Sequence, residues 1–204
     1  MPTPALPSLY LCRHGDTAWT GERRLAGRTD IALTPEGQAN AVELGQRLRE
    51  FHFDRVIVSP LGRARRTAEC AGFADVAVVD PRLIEINFGE YEGRTHAEIA
   101  AERPGWTYIC NGNPGGETVE QVAARVDSLL ADVSAKPGNV LLFGHSVVLR
   151  VLTARWLGQS PTFSEHLMLS PASLSILGYD TVDEARSIAS WNDRSHLVHR
   201  RAFA

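Results

Sequence analysis

Three short segments of this chain carry side chains suited to holding and attacking phosphorus: Arg13-His14-Gly15, Ser59-Pro60-Leu61-Gly62-Arg63 and Gly144-His145-Ser146. A neutral imidazole is a competent nucleophile toward a phosphoryl group, and a guanidinium offers planar paired donors that match phosphate oxygens. Arginines beside a histidine also disfavour its protonation, which keeps the ring reactive near neutral pH. Taken singly, each residue is ordinary. A histidine after a strand usually serves structure, and an arginine is usually a surface charge. Their weight comes from a shared placement, which depends on the elements around them.

Each segment follows a short apolar run, at residues 9–12, 56–58 and 140–143, that reads as a buried strand. Helical signals separate the strands. Thr34-Pro35-Glu36 supplies a hydroxyl N-cap, a proline at the first helical position and an acid in the first turn, and Ala41, Leu44, Leu48 and Phe51 form the stripe of the helix that follows. Ala64, Ala68 and Ala71 mark a second helix. Thr118 and Gln121 make a capping box for a third, with Val119, Val122, Val126, Leu129 and Val133 as its buried face. Shorter signals predict a strand at 76–79, a helix at about 95–102 and another at about 147–157. Two late strands, at 173–179 and 186–191, are joined by too few residues for a parallel crossover, so they pair antiparallel. The pattern predicts a three-layer α/β fold: a mainly parallel sheet, helices on both faces and an antiparallel edge. Ligands bind beyond the carboxyl ends of such strands. Arg13, His14, Arg63 and His145 therefore converge on one crevice, where a phosphate dianion supplies the counter-charge.

The 204 residues suit one domain over 1–204, with an irregular Gly- and Pro-rich insertion at about 82–117. A hydrophobic content of 44% at this length builds a core without disulfides or structural metal. The net charge of -3 argues against a nucleic-acid binder. No apolar run is long enough to span a membrane, and residues 1–8 lack the basic-then-apolar pattern of a secretory leader. Cys12, Cys70 and Cys110 are odd in number and lack metal-ligand spacing, while His196 and His199 read as tail residues. The expectation is a cytoplasmic protein with reduced thiols, no metal and no cofactor. Its partner is a small-molecule phosphate ester, with no nucleic acid and no membrane, and a homodimer is left open.

The three segments belong to longer blocks. These are Arg13-His14-Gly15-Asp16-Thr17, Ser59-Pro60-Leu61-Gly62-Arg63-Ala64-Arg65-Arg66-Thr67-Ala68, Leu83-Ile84-Glu85-Ile86-Asn87-Phe88-Gly89-Glu90-Tyr91-Glu92-Gly93 and Gly144-His145-Ser146. In this order they resemble the signature blocks of the histidine phosphatase superfamily, also called phosphoglycerate-mutase-like, over about residues 9–157. The stretch from Leu25 through Ala26-Gly27-Arg28 to Thr34 fits as well. The resemblance implies that His14 is the phosphorylated nucleophile and that Arg13, Arg63 and His145 form the phosphate pocket, with Thr20 and Ser146 as further phosphate contacts. It also implies that Glu85 protonates the leaving oxygen and then assists water. An alkoxide is a poor leaving group, so the chemistry requires such a donor. By its own surroundings in the sequence, Glu85 is an ordinary solvated loop acid. Three positions depart from the common pattern: Asp16 where Glu or Gln is usual, Thr20 where many members have Asn, and Ala26 where a polar residue is frequent. The last two bear on substrate contacts, and Thr20 keeps a hydroxyl donor.

The resulting expectation is a metal-independent phosphomonoesterase that hydrolyses a small phosphorylated metabolite, of sugar phosphate or phosphoglycerate type, through a phosphohistidine. Two alternatives stand beside it. A cofactor-dependent phosphoglycerate mutase would use the same phosphohistidine, but such mutases tend to have more sequence between the Glu block and the Gly-His block. A non-catalytic phospho-ligand module would be expected to have lost one of His14, Arg13, Arg63, Glu85 or His145. Residues 106–118 and 191–193 resemble a branch with acid and sugar (bis)phosphatases. The loop at 111–118 reads either as a turn leading into a helix or as a wall over the substrate. Trp106 and Tyr108 read either as core or as pocket lining.

Overall fold

The computed structural model describes residues 6–197, so residues 1–5 of the leader reading and His199 lie outside the described residues. The strands are β1 (Ser8–Arg13), β2 (Arg55–Val58), β3 (Ala77–Val79), β4 (Asn139–Gly144), β5 (Leu174–Tyr179) and β6 (Arg186–Asp193). They form one sheet in the order β3-β2-β4-β1-β5-β6. The first four run parallel, β5 is antiparallel to β1, and β6 is antiparallel to β5. The helices are α1 (Ala18–Gly21), α2 (Pro35–Leu48), α3 (Gly62–Cys70), α4 (His96–Glu102), α5 (Val119–Ser134) and α6 (Ser146–Trp156).

Continuous apolar strands serve two cores at once, because successive side chains point to opposite faces. Leu9, Leu11, Val140 and Leu142 join the cluster that holds the apolar sides of α5 and α6. Tyr10, Cys12, Leu141 and Phe143 join the cluster under α2 and α3. This is the three-layer α/β architecture that the alternation of elements predicts. Among the described residues, no helix is long and apolar enough to cross a membrane.

Register fixes where the chemistry collects. In the parallel pairing Arg13 lies opposite Gly144 and Val58 opposite Phe143, so three strands end at one level. His14 N–H then donates to Gly144 O at 3.0 Å, and Ser59 N–H to Phe143 O at 2.9 Å. His14, Ser59 and His145 thus leave the sheet side by side.

Local differences from the sequence reading have simple causes. Helix α2 stops at Leu48, so Phe51 is not part of its stripe; its ring packs on Tyr10 at 4.9 Å from the following turn. Strand β3 begins at Ala77, and Val76, Val78 and Val79 are exposed because β3 is the sheet edge. Helix α1 is a single turn, too short for periodicity to betray, and is held by a reciprocal cap between Thr17 and Thr20. The segment from Arg82 to Gly116 is irregular but ordered. It carries 3-10 turns and α4, and sends Leu83, Ile86, Phe88, Tyr91, Ile99 and Trp106 into the core beneath α5 and α6.

Candidate active site

His14 is 4% exposed and its Nδ1 lies 2.8 Å from Gly15 O. A carbonyl can only accept, so Nδ1 carries the proton and Nε2 keeps its lone pair. Nε2 has no hydrogen-bond partner among the described residues, and the residue lines an open cleft of about 190 Å³. The turn that presents it has no slack. Gly15 N–H donates to Thr67 Oγ1 at 3.0 Å, and a Cβ on Gly15 would sit 2.4 Å from Gly37 O at the start of α2. Burial, then the Arg13 and Arg63 guanidiniums, hold His14 well below the usual histidine range, against the opposing hydrogen bond to Gly15. The ring is therefore neutral at physiological pH.

Arg13 also lines the cleft. One terminal nitrogen donates to Leu169 O at 2.5 Å, while its buried Nε has no partner. Desolvation lowers its guanidinium to about 10, opposed first by Glu85 and then by Asp16, so it stays charged. Two residues lining one cleft, a charged guanidinium with an orphaned buried donor and an imidazole with a free nitrogen, present the polarity an anion would satisfy.

Arg63 and His145 are placed differently from the fork-on-phosphate expectation. Arg63 is 1% exposed, and its donors are directed into the fold. Nε donates to His145 Nδ1 at 3.2 Å, one terminal nitrogen to Thr29 O at 2.8 Å, and the other to Ala26 O and Gly27 O at 2.9 and 2.7 Å. His145 Nδ1 is thus an acceptor, and Nε2–H donates to Ser59 Oγ at 2.7 Å. Burial, then Arg63 and His14, also hold His145 well below the usual range. The two lie against the nucleophile, with His14 and His145 rings 5.2 Å apart, and are not among the residues lining the cleft. Glu92 supports the arrangement. Its carboxylate accepts the N–H groups of Gly27, Arg28 and Thr29, which aims that segment's carbonyls at Arg63.

Glu85 is not a solvated loop acid. It is 4% exposed, and its carboxylate sits on the first turn of α6. Oε1 accepts Ile86 N–H and Val148 N–H, and Oε2 accepts Val147 N–H, each at 3.0 Å. The unpaired amides of a helix start favour an acid there. Oε2, with one donor rather than two, retains capacity for a further partner, and Glu85 lines the cleft. Ser146 lines the cleft and its hydroxyl makes no hydrogen bond among the described residues, so it is free for a ligand. Thr20 also lines the cleft, but its hydroxyl accepts Thr17 N–H at 2.9 Å and donates to Thr17 O at 2.8 Å. Asp16 is turned away, accepting from Asn40 at 3.1 Å.

Trp106 belongs to the core, with its indole N–H on Gly112 O at 3.1 Å, whereas Tyr108 lines the cleft. The loop at 111–118 is a pinned turn. Glu90 N–H donates to Pro114 O, and Glu117 N–H to Asn87 O. The supporting role of Glu92 leaves no signal in the sequence, because the amides of Gly27, Arg28 and Thr29 that it binds lie more than sixty positions away.

The two neutral histidines give a stability prediction. Below about 6.5 the unfolded chain takes up protons that the folded His14 and His145 refuse, so their contribution is complete above that pH and is lost as pH falls. Each contributes a slope of about 1.4 kcal/mol per pH unit in that window. Urea unfolding of His14→Asn between pH 6 and 5 is expected to show a slope shallower than wild type by about that amount. Equal slopes would mean that His14 is charged in the fold.

The sequence matches the histidine phosphatase superfamily (branch 1) over residues 9–194. The chain is 37% identical over 179 residues to a probable phosphoglycerate mutase GpmB of Erwinia tasmaniensis, covering 82% of each chain. Among solved structures it is similar to the product of an open reading frame of Mycobacterium tuberculosis, with TM-score 0.84 and 33% identity over 91% of this chain and 96% of that one. It is also similar to an alpha-ribazole phosphatase from Shigella flexneri, with TM-score 0.79 and 26% identity over 92% and 96%. A mycobacterial glucosyl-3-phosphoglycerate phosphatase gives TM-score 0.77 and 28% identity over 91% and 98%. The chain belongs to the histidine phosphatase superfamily. That membership, with phosphatases among its structural neighbours, supports an enzyme of phosphatase or mutase type.

Proposed function

We propose that the protein is a phosphomonoesterase that hydrolyses a small phosphorylated metabolite through a phosphohistidine on His14. The observation that carries this reading is the free Nε2 of His14, set by its Nδ1–H bond to Gly15, in a cleft lined also by Arg13, whose buried Nε is unpaired, and by Glu85. Nε2 attacks phosphorus, the P–O bond breaks, and a protonated Glu85 gives its proton to the departing oxygen. Water then attacks the phosphohistidine, the N–P bond breaks, and Glu85 takes the water's proton. Arg13 neutralises the transferring group directly. Ser146 offers a hydroxyl to it. Arg63 and His145 act from behind the nucleophile, and Thr20 reaches substrate only by giving up its bond within α1. The cations do the charge neutralisation, so turnover does not call for a metal.

The similarity to probable phosphoglycerate mutases favours a second reading, in which the phosphoryl group passes to another hydroxyl. Supplied with 3-phosphoglycerate and 2,3-bisphosphoglycerate, the protein is expected to release inorganic phosphate much faster than it interconverts phosphoglycerates, with or without EDTA. Rapid interconversion with little phosphate release would establish the mutase instead. Loss of turnover on chelation would overturn the metal-independent mechanism.

A further inference from the structure

The Arg13 guanidinium lines the cleft, and among the described residues its one hydrogen bond is to Leu169 O. Its bearing therefore depends on how firmly that carbonyl is placed. Residues 167–170 belong to no helix or strand, so no ladder of backbone bonds does the placing. Side chains from the end of β6 do it instead. The C=O of Leu169 and the N–H of Ser170 are two edges of one planar peptide. Asn192 Oδ1 accepts that N–H at 2.7 Å, and Asn192 Nδ2 donates to Ser170 Oγ at 3.3 Å. Fixing one edge of the plane fixes the other, so Asn192 sets the direction of the Leu169 carbonyl. Donation by the N–H also polarises the peptide, which makes its oxygen a better acceptor for a guanidinium. The preceding peptide is held from the same place, where Trp191 Nε1–H donates to Met168 O at 2.6 Å.

Strand β6 departs from regular pairing to deliver these two side chains. Leu174 pairs with Asp193 and Ile176 with Ser190, so Trp191 and Asn192 together stand opposite Ser175 in a β-bulge. Asn192 is left-handed, with φ 56°, a conformation that asparagine tolerates better than most side chains. Its N–H donates to the buried Ser175 Oγ at 2.9 Å, which locks the bulge to β5. The same loop also grips the nucleophile's backbone. Ala172 N–H donates to Arg13 O at 3.2 Å and His14 O at 3.1 Å, and His196 Nε2–H donates to Ala172 O at 2.9 Å. Neither Trp191 nor Asn192 lines the cleft.

We propose that Asn192 is a positioning residue for the reaction: through the Leu169–Ser170 peptide it aims the Arg13 guanidinium at the transferring phosphoryl group, with Trp191 bracing the same loop. This rests on the phosphohydrolase reading above and goes beyond it. Residues 191–193, which the chemistry at His14 leaves without a task, acquire one.

The test is a double-substitution cycle with Arg13, read on kcat/KM for p-nitrophenyl phosphate and on the calorimetric Kd for inorganic phosphate. Asn192→Gly suits the left-handed backbone and deletes the carboxamide. It is expected to lower kcat/KM about tenfold, mostly through kcat, because Arg13 neutralises charge that moves during transfer. Phosphate binding should weaken by about threefold or more. In an Arg13→Ala background the same substitution is expected to change neither quantity, because the group it aims is gone. Asn192→Asp keeps an acceptor for the Ser170 N–H on the same backbone and should recover most of the loss. A purely structural Asn192 would cost the same factor with or without Arg13. Equal factors overturn the proposal, and so does an Asn192→Gly protein that matches wild type. Trp191→Phe, which removes the indole N–H, stands in if Asn192→Gly does not fold, and its smaller loss must likewise vanish without Arg13. The phosphate arm keeps the two readings apart. Coupling between Asn192 and Arg13 in phosphate binding, in a protein that turns over no ester, removes hydrolysis and leaves the positioning role standing. Turnover with equal factors in both backgrounds does the reverse.

Discussion

His14→Ala is expected to abolish an acid-labile, base-stable phosphoenzyme and to lower kcat by about four orders of magnitude or more. Rapid quenching during turnover traps the phosphoenzyme in wild type, and steady-state assays on the variant measure the loss. The size follows from how completely the fold commits this ring. Nδ1 is held by Gly15, Nε2 is left without a partner, and burial with two arginines keeps the imidazole unprotonated. No other described histidine lines the cleft. His145 has both ring nitrogens engaged and cannot take over without breaking its bonds to Arg63 and Ser59. A His14→Ala protein that turned over normally, or still formed the same phosphoenzyme, would sink the mechanism.

Glu85→Gln is expected to slow alkyl phosphates by roughly a hundredfold to ten-thousandfold and p-nitrophenyl phosphate much less in the phosphorylation step. An alkoxide needs a proton on departure, and nitrophenolate does not. The step must be isolated by a burst or a single turnover, because Glu85 also assists the water. The structure adds a complication. Gln cannot match all three N–H groups that Glu85 accepts, and its amide would set a donor against a donor at the start of α6. Leaving that buried clash costs about 1–3 kcal/mol of stability. The informative quantity is therefore the ratio between the two leaving groups within one folded variant. Equal damage to both would take Glu85 out of the acid role.

The strand ends were legible in the sequence because short apolar runs stop at Gly, Ser-Pro or Arg-His, and parallel pairing brings such stops together. The antiparallel edge was legible from the few residues between β5 and β6. What the sequence could not disclose lies in contacts between distant segments. Glu85 looks solvated because the amides that hold it belong to Val147 and Val148, 62 and 63 positions away. Arg63 looks like a free fork because its acceptors are backbone carbonyls of Ala26, Gly27 and Thr29, and no residue pattern reports where carbonyls point. Phe51 continues a helical spacing past the end of α2, since periodicity does not register where a chain turns.

The close approach of Gly15 to Gly37 divides the molecule by how it can change over time. At the nucleophile, two backbones touch with no room for a methyl group, so α2 and the end of β1 must keep their places together. Arg23, Leu25 and Tyr108, which line the cleft, come from turns that can accept different side chains while that contact stays as it is. A lineage carrying this fold can therefore move from one phosphate ester to another by exchanging rim residues, with its reaction inherited intact. A change at Gly37, which is not among the residues lining the cleft, would strike the reaction itself.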